Sequence, residues 1–131
     1  MRKILNILVR RYLPKAELEG ALKFYEAVLG QPPRLRFHYD RYDLDLAQIG
    51  SLLFVAGDEA KLAPFTATSA TFMVEDLDGW HTELPRLGAQ ILEPPKTVPT
   101  GRNMRVRHPD GMVVEYVEHA DKHPADAVLQ S

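Results

Sequence analysis

The sequence predicts an α+β fold made of two strand-helix-three-strand (βαβββ) modules that form a cupped mixed sheet around a cavity. Three observations lead there. The hydrophobic pattern passes from two-residue alternation to helical spacing and back, and does so twice. The second pass repeats landmarks of the first, with Leu29-Gly30 against Leu87-Gly88 at an offset of 58 and Gly50 against Gly111 at an offset of 61. The 131 residues, 45% hydrophobic and 26% charged, describe one folded domain, 1–131, with a core of its own. Two modules that each hide one sheet face under a helix leave two curved sheets facing across a cleft, where a ligand would lie.

The first module spans residues 4–56. Residues 4–9 are a buried strand, with Asn6, Leu8 and Arg10 on one face and Ile7, Val9 and Arg11 on the other. From Pro14 the spacing of Leu18, Ala21, Leu22, Tyr25, Val28 and Leu29 is helical, and Gly30 is placed to end the helix. After Pro32-Pro33, Leu35, Phe37 and Tyr39 alternate with Arg34, Arg36 and His38 as a strand with one buried face does. Leu44 and Leu46 repeat that pattern, and residues 51–56 are apolar on both faces, as an inner strand must be. Residues 57–68 are a polar connector.

The second module spans residues 69–119. Residues 71–74 form a strand, and Asp76 caps a helix whose apolar face is Leu77, Trp80, Leu84 and Leu87. Gly88 ends this helix, and Pro85 kinks its last turn. Residues 89–92 form a short strand stopped by Pro94-Pro95, followed by strands at 103–107 and 112–117 joined by the turn His108-Pro109-Asp110-Gly111. Residues 120–131 are a loose tail.

With 16 Lys+Arg against 18 Asp+Glu, the net charge of -2 offers no field to attract nucleic acid or an anionic membrane. Zero cysteines exclude disulfides, thiolate nucleophiles and iron–sulfur clusters. The apolar run at 4–9 is too short for a signal peptide and ends at Arg10-Arg11, and no stretch reaches the roughly 18–20 apolar residues of a membrane span. The expectation is a cytoplasmic protein with neither nucleic acid nor membrane as partner.

Phe24-Tyr25 with Leu29-Gly30, Val74-Glu75-Asp76-Leu77, and His108-Pro109-Asp110-Gly111 with Glu115 beyond it occur in this order over a twofold repeat. Together, over residues 4–119, they resemble the glyoxalase/bleomycin resistance/extradiol dioxygenase group, the vicinal oxygen chelate superfamily. The resemblance implies paired βαβββ modules, a cupped cavity and a homodimer. In the enzymes of the group it also implies a divalent metal held by His, Gln or Glu from the first and last strands of each module. Carried onto this chain, those positions fall on Ser69 and Glu115 in the second module and on Ile4 and Phe54 in the first, with Asn6 replacing Ile4 if the alignment slips by two. Glu115, with at most an amide from Asn6, is too small a donor set, so no metal and no cofactor are expected.

The function expected from this is binding of a small organic molecule in the cavity between the modules, without metal, of the sequestration or resistance type. The alternative is a lyase, isomerase or dioxygenase of the same superfamily in which Glu115 acts, and a third is a dimerising accessory module with no ligand. The candidate ligand-binding residues are Asn6, Phe37, Tyr39, Phe54, Ser69, Thr71, Arg102, Arg105 and Glu115, with Glu115 the best catalytic candidate. A carboxylate inside the apolar run 113–117 needs a polar partner, and the arginines at 102, 105 and 107 are the nearest cations in sequence. A four-residue turn sets Met104 opposite Glu115, and one bulged residue sets Asn103 there and puts Arg105 on the same face. The five histidines, His38, His81, His108, His119 and His123, show no pair on a shared helix face and are read as surface and turn residues.

Overall fold

The computed structural model describes residues 3–121, so the expected tail beyond Asp121, with His123 in it, lies outside the described residues. The elements are β1 (Ile4–Leu13), a single 3-10 turn (Lys15–Glu17), α1 (Leu18–Leu29), β2 (Leu35–Tyr39), β3 (Leu44–Ile49), β4 (Leu52–Ala56), α2 (Glu59–Leu62), β5 (Thr68–Val74), α3 (Leu77–Arg86), β6 (Gln90–Val98), β7 (Gly101–Arg107) and β8 (Val113–His119). This is the α+β, twice-repeated strand-helix-three-strand order that the alternating periods predict. The addition is α2, one helical turn inside the polar connector. No helix among the described residues is long and apolar enough to cross a membrane.

The described residues divide into two compact units, one of Leu8–Ala67 and one of residues 3–7 with 68–121. In Leu8–Ala67 the strands lie in the order β2-β3-β4-β1, with β1 parallel to β4 and the other pairs antiparallel. The inner position of β4 explains its apolar residues on both faces. α1 covers one sheet face, where Leu18 and Leu22 pack on Leu13, Ala47, Ile49, Phe54 and Ala56 with Ala21 and Tyr25 beside them. Each of these buried leucines contributes roughly 1.5–3 kcal/mol. Gly30 ends the helix at φ 68, in the left-handed conformation that favours glycine. The helical pattern also assigned Val28 and Leu29 to the core, but they are 61% and 41% exposed. Val28 lies one turn from Phe24, also 61% exposed, on a separate stripe of α1.

In the other unit β5 has the first residues of β1 on one side and continues through β8 and β7 to β6 at the edge. β5 and β8 are parallel, and the β8–β7 and β7–β6 pairs are antiparallel. α3 covers one face through Leu77 and Leu84, which pack with Val74, Met104, Val106, Val114 and Tyr116, and Trp80 closes on the same cluster. Asp76 caps α3 as expected, its carboxylate accepting from the Gly79 amide at 3.1 Å. Leu87, expected on the buried face, is 61% exposed. The expectation that Pro94-Pro95 stop β6 is overturned, because the strand runs through both prolines to Val98. Its edge position and the register shifts between Ile91 and Glu93 and between Glu93 and Lys96 remove the need for an unbroken ladder of N–H donors there.

Candidate functional site

Each sheet has one face under its helix and one face without a helix, and side chains alternate between them along every strand. On β8, Val114 and Tyr116 go beneath α3. Glu115, between them, emerges on the helix-free face, with Thr71 on β5 and Arg105 on β7 as its cross-strand neighbours. The hydroxyl of Thr71, a residue only 1% exposed, donates to Glu115 Oε1 at 2.9 Å, and the Asn103 amide donates to Oε2 at 2.6 Å. Both oxygens of a half-buried carboxylate are thereby satisfied, which offsets the cost of taking it from water.

The β7–β8 register differs from both sequence alternatives. The connection is a five-residue loop, His108 to Met112, closed by the His108 amide on the Met112 carbonyl at 2.8 Å and tightened by Gly111, whose φ is 97. The extra residue sets Arg105, rather than Met104 or Asn103, opposite Glu115. Asn103, two residues along on the same face, still reaches the carboxylate. The expected Arg105–Glu115 ion pair is not formed, because Arg105 Nε lies 2.9 Å from Glu93 Oε1 on β6. Lys96 also hydrogen-bonds Glu93, and the two cations, Lys96 foremost, hold that carboxyl below its ordinary range.

Arg102 belongs to the other side of the strand. Its guanidinium grips Asp78 of α3 through two bonds of 3.0 Å, an exposed pair that keeps the Asp78 carboxyl below its usual range. That position corrects its expected role as a ligand anchor. Phe54 is corrected too. It is 1% exposed and its ring lies 5.4 Å from that of Tyr25 under α1, so it is a core residue. Aligning Gly50 with Gly111 is therefore one residue out for the last strands, and in a strand a shift of one exchanges the faces. Ser69 stands exposed at the register shift between Thr68 and Ala70, so Thr71 rather than Ser69 faces Glu115. Asn6 is half-buried on β1 and its side-chain oxygen accepts from the Ile7 amide. Ile4 packs toward the α3 core.

On the helix-free face of Leu8–Ala67, Phe37, Leu46, Val55 and Tyr12 form one row across the four strands, and Leu35, Gln48, Leu53 and Arg10 form the next. Phe37 and Tyr39 are half-buried, with ring centroids 6.5 Å apart. Arg10 donates to the Tyr12 hydroxyl at 2.8 Å, which donates to the Phe65 carbonyl at 2.6 Å. Arg10 and Tyr12 were absent from the sequence-derived candidates, and Asn103 entered only as a residue placed opposite Glu115 by the bulged register. The signal for Arg10 was there in the alternation that set it with Asn6 and Leu8 on one face of β1.

The divalent metal implied by the resemblance does not fit these residues. In one unit the helix-free face offers the Glu115 carboxylate beside the Thr71 hydroxyl. In the other, the corresponding positions of β1 and β4 carry Arg10, Tyr12, Leu53 and Val55. Among the described residues no group of three or more His, Asp or Glu side chains is placed to hold a metal ion.

Residues 6–116 match the family model for the Glyoxalase/Bleomycin resistance protein/Dioxygenase superfamily, and the chain belongs to that superfamily. Among solved structures, it is 49% identical to an uncharacterized protein from Methanosarcina mazei, over 92% of this chain and 97% of that one, with a TM-score of 0.83. Methylmalonyl-CoA epimerase from Mycobacterium tuberculosis matches at 20% identity over 90% of each chain, with a TM-score of 0.67. A Streptomyces coelicolor methylmalonyl-CoA epimerase variant in complex with 2-nitronate-propionyl-CoA matches at 19% over 93% of this chain and 100% of that one, with a TM-score of 0.64. These two show a shared fold. No curated protein sequence matches the chain.

Proposed function

We propose that this chain is a metal-independent binding protein that holds a small organic molecule on the helix-free sheet face around Glu115. The observation that carries the reading is the Glu115 carboxylate, half-buried and oriented by Thr71 and Asn103. A fixed acceptor of this kind selects a ligand that presents N–H or O–H donors, and membership of a superfamily with bleomycin-resistance members supports a sequestering role. Thermal-shift screening of amines, amides and phenols tests it. Hits should lose affinity in Glu115→Gln by about tenfold, the scale of one charge-assisted hydrogen bond. Hits indifferent to that change would sink the reading.

A second reading, in which Glu115 takes a proton from an acidic C–H bond, draws support from the fold shared with the epimerases. Its readout is exchange of that hydrogen with solvent deuterium, followed by NMR on bound hits. Exchange that disappears in Glu115→Gln would replace binding with catalysis. The exposed stripe of Phe24 and Val28 on α1 supports a homodimer, which sedimentation equilibrium would register as twice the chain mass.

A further inference from the structure

The β2–β3 turn and the connector after α2 build a second surface wholly within Leu8–Ala67. Tyr39 ends β2, Tyr42 sits in the turn, and Phe65 follows α2. The ring centroids of Tyr39 and Tyr42 are 4.9 Å apart, as are those of Tyr42 and Phe65, and Phe37 extends the run at 6.5 Å from Tyr39. All four rings are half-buried, so each keeps part of its surface open.

The turn is held rather than loose. Asp43 adopts φ 53, an uncommon conformation for a residue with a side chain, and its carboxylate is tied to Lys61 of α2. The Tyr42 amide closes on the Tyr39 carbonyl at 3.1 Å. Tyr42 is thus fixed from both sides before any ligand arrives, which lowers the ordering cost of binding.

A cation overlooks this run. The exposed Arg41 guanidinium lies 5.3 Å from the centre of the Tyr42 ring. The neighbouring acids are engaged elsewhere. Asp43 pairs with Lys61, Asp40 lies 3.6 Å from His38, and Asp45 meets His38 and Lys15. Arg10, on the adjoining rows, is committed to Tyr12. Arg41, stacked over Tyr42 inside the run, is the fork-shaped donor whose geometry suits a carboxylate.

We infer that this surface binds a planar aromatic acid, its ring laid on Tyr42 and its neighbours and its carboxylate held by Arg41. The inference assigns a site in a different unit from Glu115 and does not depend on that reading.

Calorimetric titration with naphthoate and with its neutral counterpart naphthalenemethanol tests it on the full chain. The wild type should bind naphthoate about tenfold more tightly than the alcohol, and Arg41→Gln should erase that preference while leaving the alcohol unaffected. Tyr42→Leu should weaken both probes several-fold. Arg86→Gln, which removes a cation from α3, should change neither. Arg41 is exposed, so its variant folds, and circular dichroism checks that it and Tyr42→Leu do. Absence of saturable naphthoate binding to folded wild type overturns the inference. So does a preference for the acid that survives in Arg41→Gln. Either result leaves a Glu115-dependent ligand from the thermal-shift screen standing.

Discussion

Glu115 and Arg105 face each other across β7 and β8, yet their energetic roles differ because their partners differ. Glu115 serves as acceptor for Thr71, which is almost wholly buried, and for Asn103. Removing it in Glu115→Ala strips a buried hydroxyl and an amide of one partner each and should cost about 1–3 kcal/mol. Arg105 meets Glu93 where both side chains keep more than a third of their surface in solvent, at 35% and 39%. Arg105→Ala should cost less than about 1 kcal/mol, as truncating an exposed pair does. Urea denaturation at neutral pH compares the two, and a larger loss in Arg105→Ala would mean that the arginine, not the hydroxyl and amide, supports the strand. Phe54 makes the parallel case in the core. Phe54→Ala should cost about 3–5 kcal/mol through the cavity it leaves beneath α1. The affinity of any ligand found by screening should stay as it was, and a tenfold loss of affinity at unchanged stability would restore Phe54 to the binding wall.

At the level of elements, the legible parts of the sequence were those whose signal is local. Leu18, Leu22 and Tyr25 repeat at helical spacing and Gly30 stops the helix, so α1 is visible without any knowledge of its partners. Asp76 ahead of the Leu77 face marked α3 in the same way. Its cap is worth testing, because Asp76 also sits at φ 56, where a short polar side chain is tolerated better than alanine. Asp76→Ala should cost about 1 kcal/mol or somewhat more, and Asp76→Asn much less, since the amide oxygen can still accept from Gly79; thermal melts of the pair would expose the cap as idle if both lost the same amount. What escaped the sequence depended on pairing. Nothing local in Pro94-Pro95 says that β6 lies at an edge, where missing N–H donors are harmless. The His108-to-Met112 loop holds one more residue than its Pro-Asp-Gly signal suggests, and that residue moved the hairpin register. The candidate site was legible to the same extent: Glu115 and Thr71 follow from strand alternation. Asn103 required the register, and Phe54 and Arg102 were misassigned because a one-residue error turns a strand residue to the opposite face.

Across the whole molecule, ionisable groups set a stability plateau with two limbs of different origin. Glu19 with Arg36, Asp43 with Lys61, Asp45 with His38, Asp78 with Arg102 and Glu93 with Lys96 all keep their carboxyls below ordinary values. For such groups the unfolded chain takes up protons first as pH falls. Their stabilisation is complete above the ordinary carboxylate range near 4 and is lost as pH drops through the lower folded values. The alkaline limb has the opposite sign. Burial pushes the Tyr116 phenol up from 10.0 to about 12, so the folded state keeps a proton that the unfolded chain releases, and stability is lost between those values. The difference corresponds to roughly 2–3 kcal/mol. Lys61, raised by Asp43, adds to the same limb. Salt separates the causes, because the carboxylate pairs and Lys61 are mostly exposed and screened at 1 M, where the Debye length is about 3 Å. Desolvation of Tyr116 is not screened. Urea midpoints measured across pH at low and high salt should show the acid limb flatten with salt and the alkaline limb persist in part. Tyr116→Phe also loses the contact between the hydroxyl and His108 Nε2 at 2.8 Å, which lowers stability by a similar amount at every pH up to the start of the alkaline limb. The slope between pH 10 and 12 is therefore the diagnostic. It should shrink in Tyr116→Phe at high salt, and a slope equal to the wild type's would place the alkaline loss in other groups.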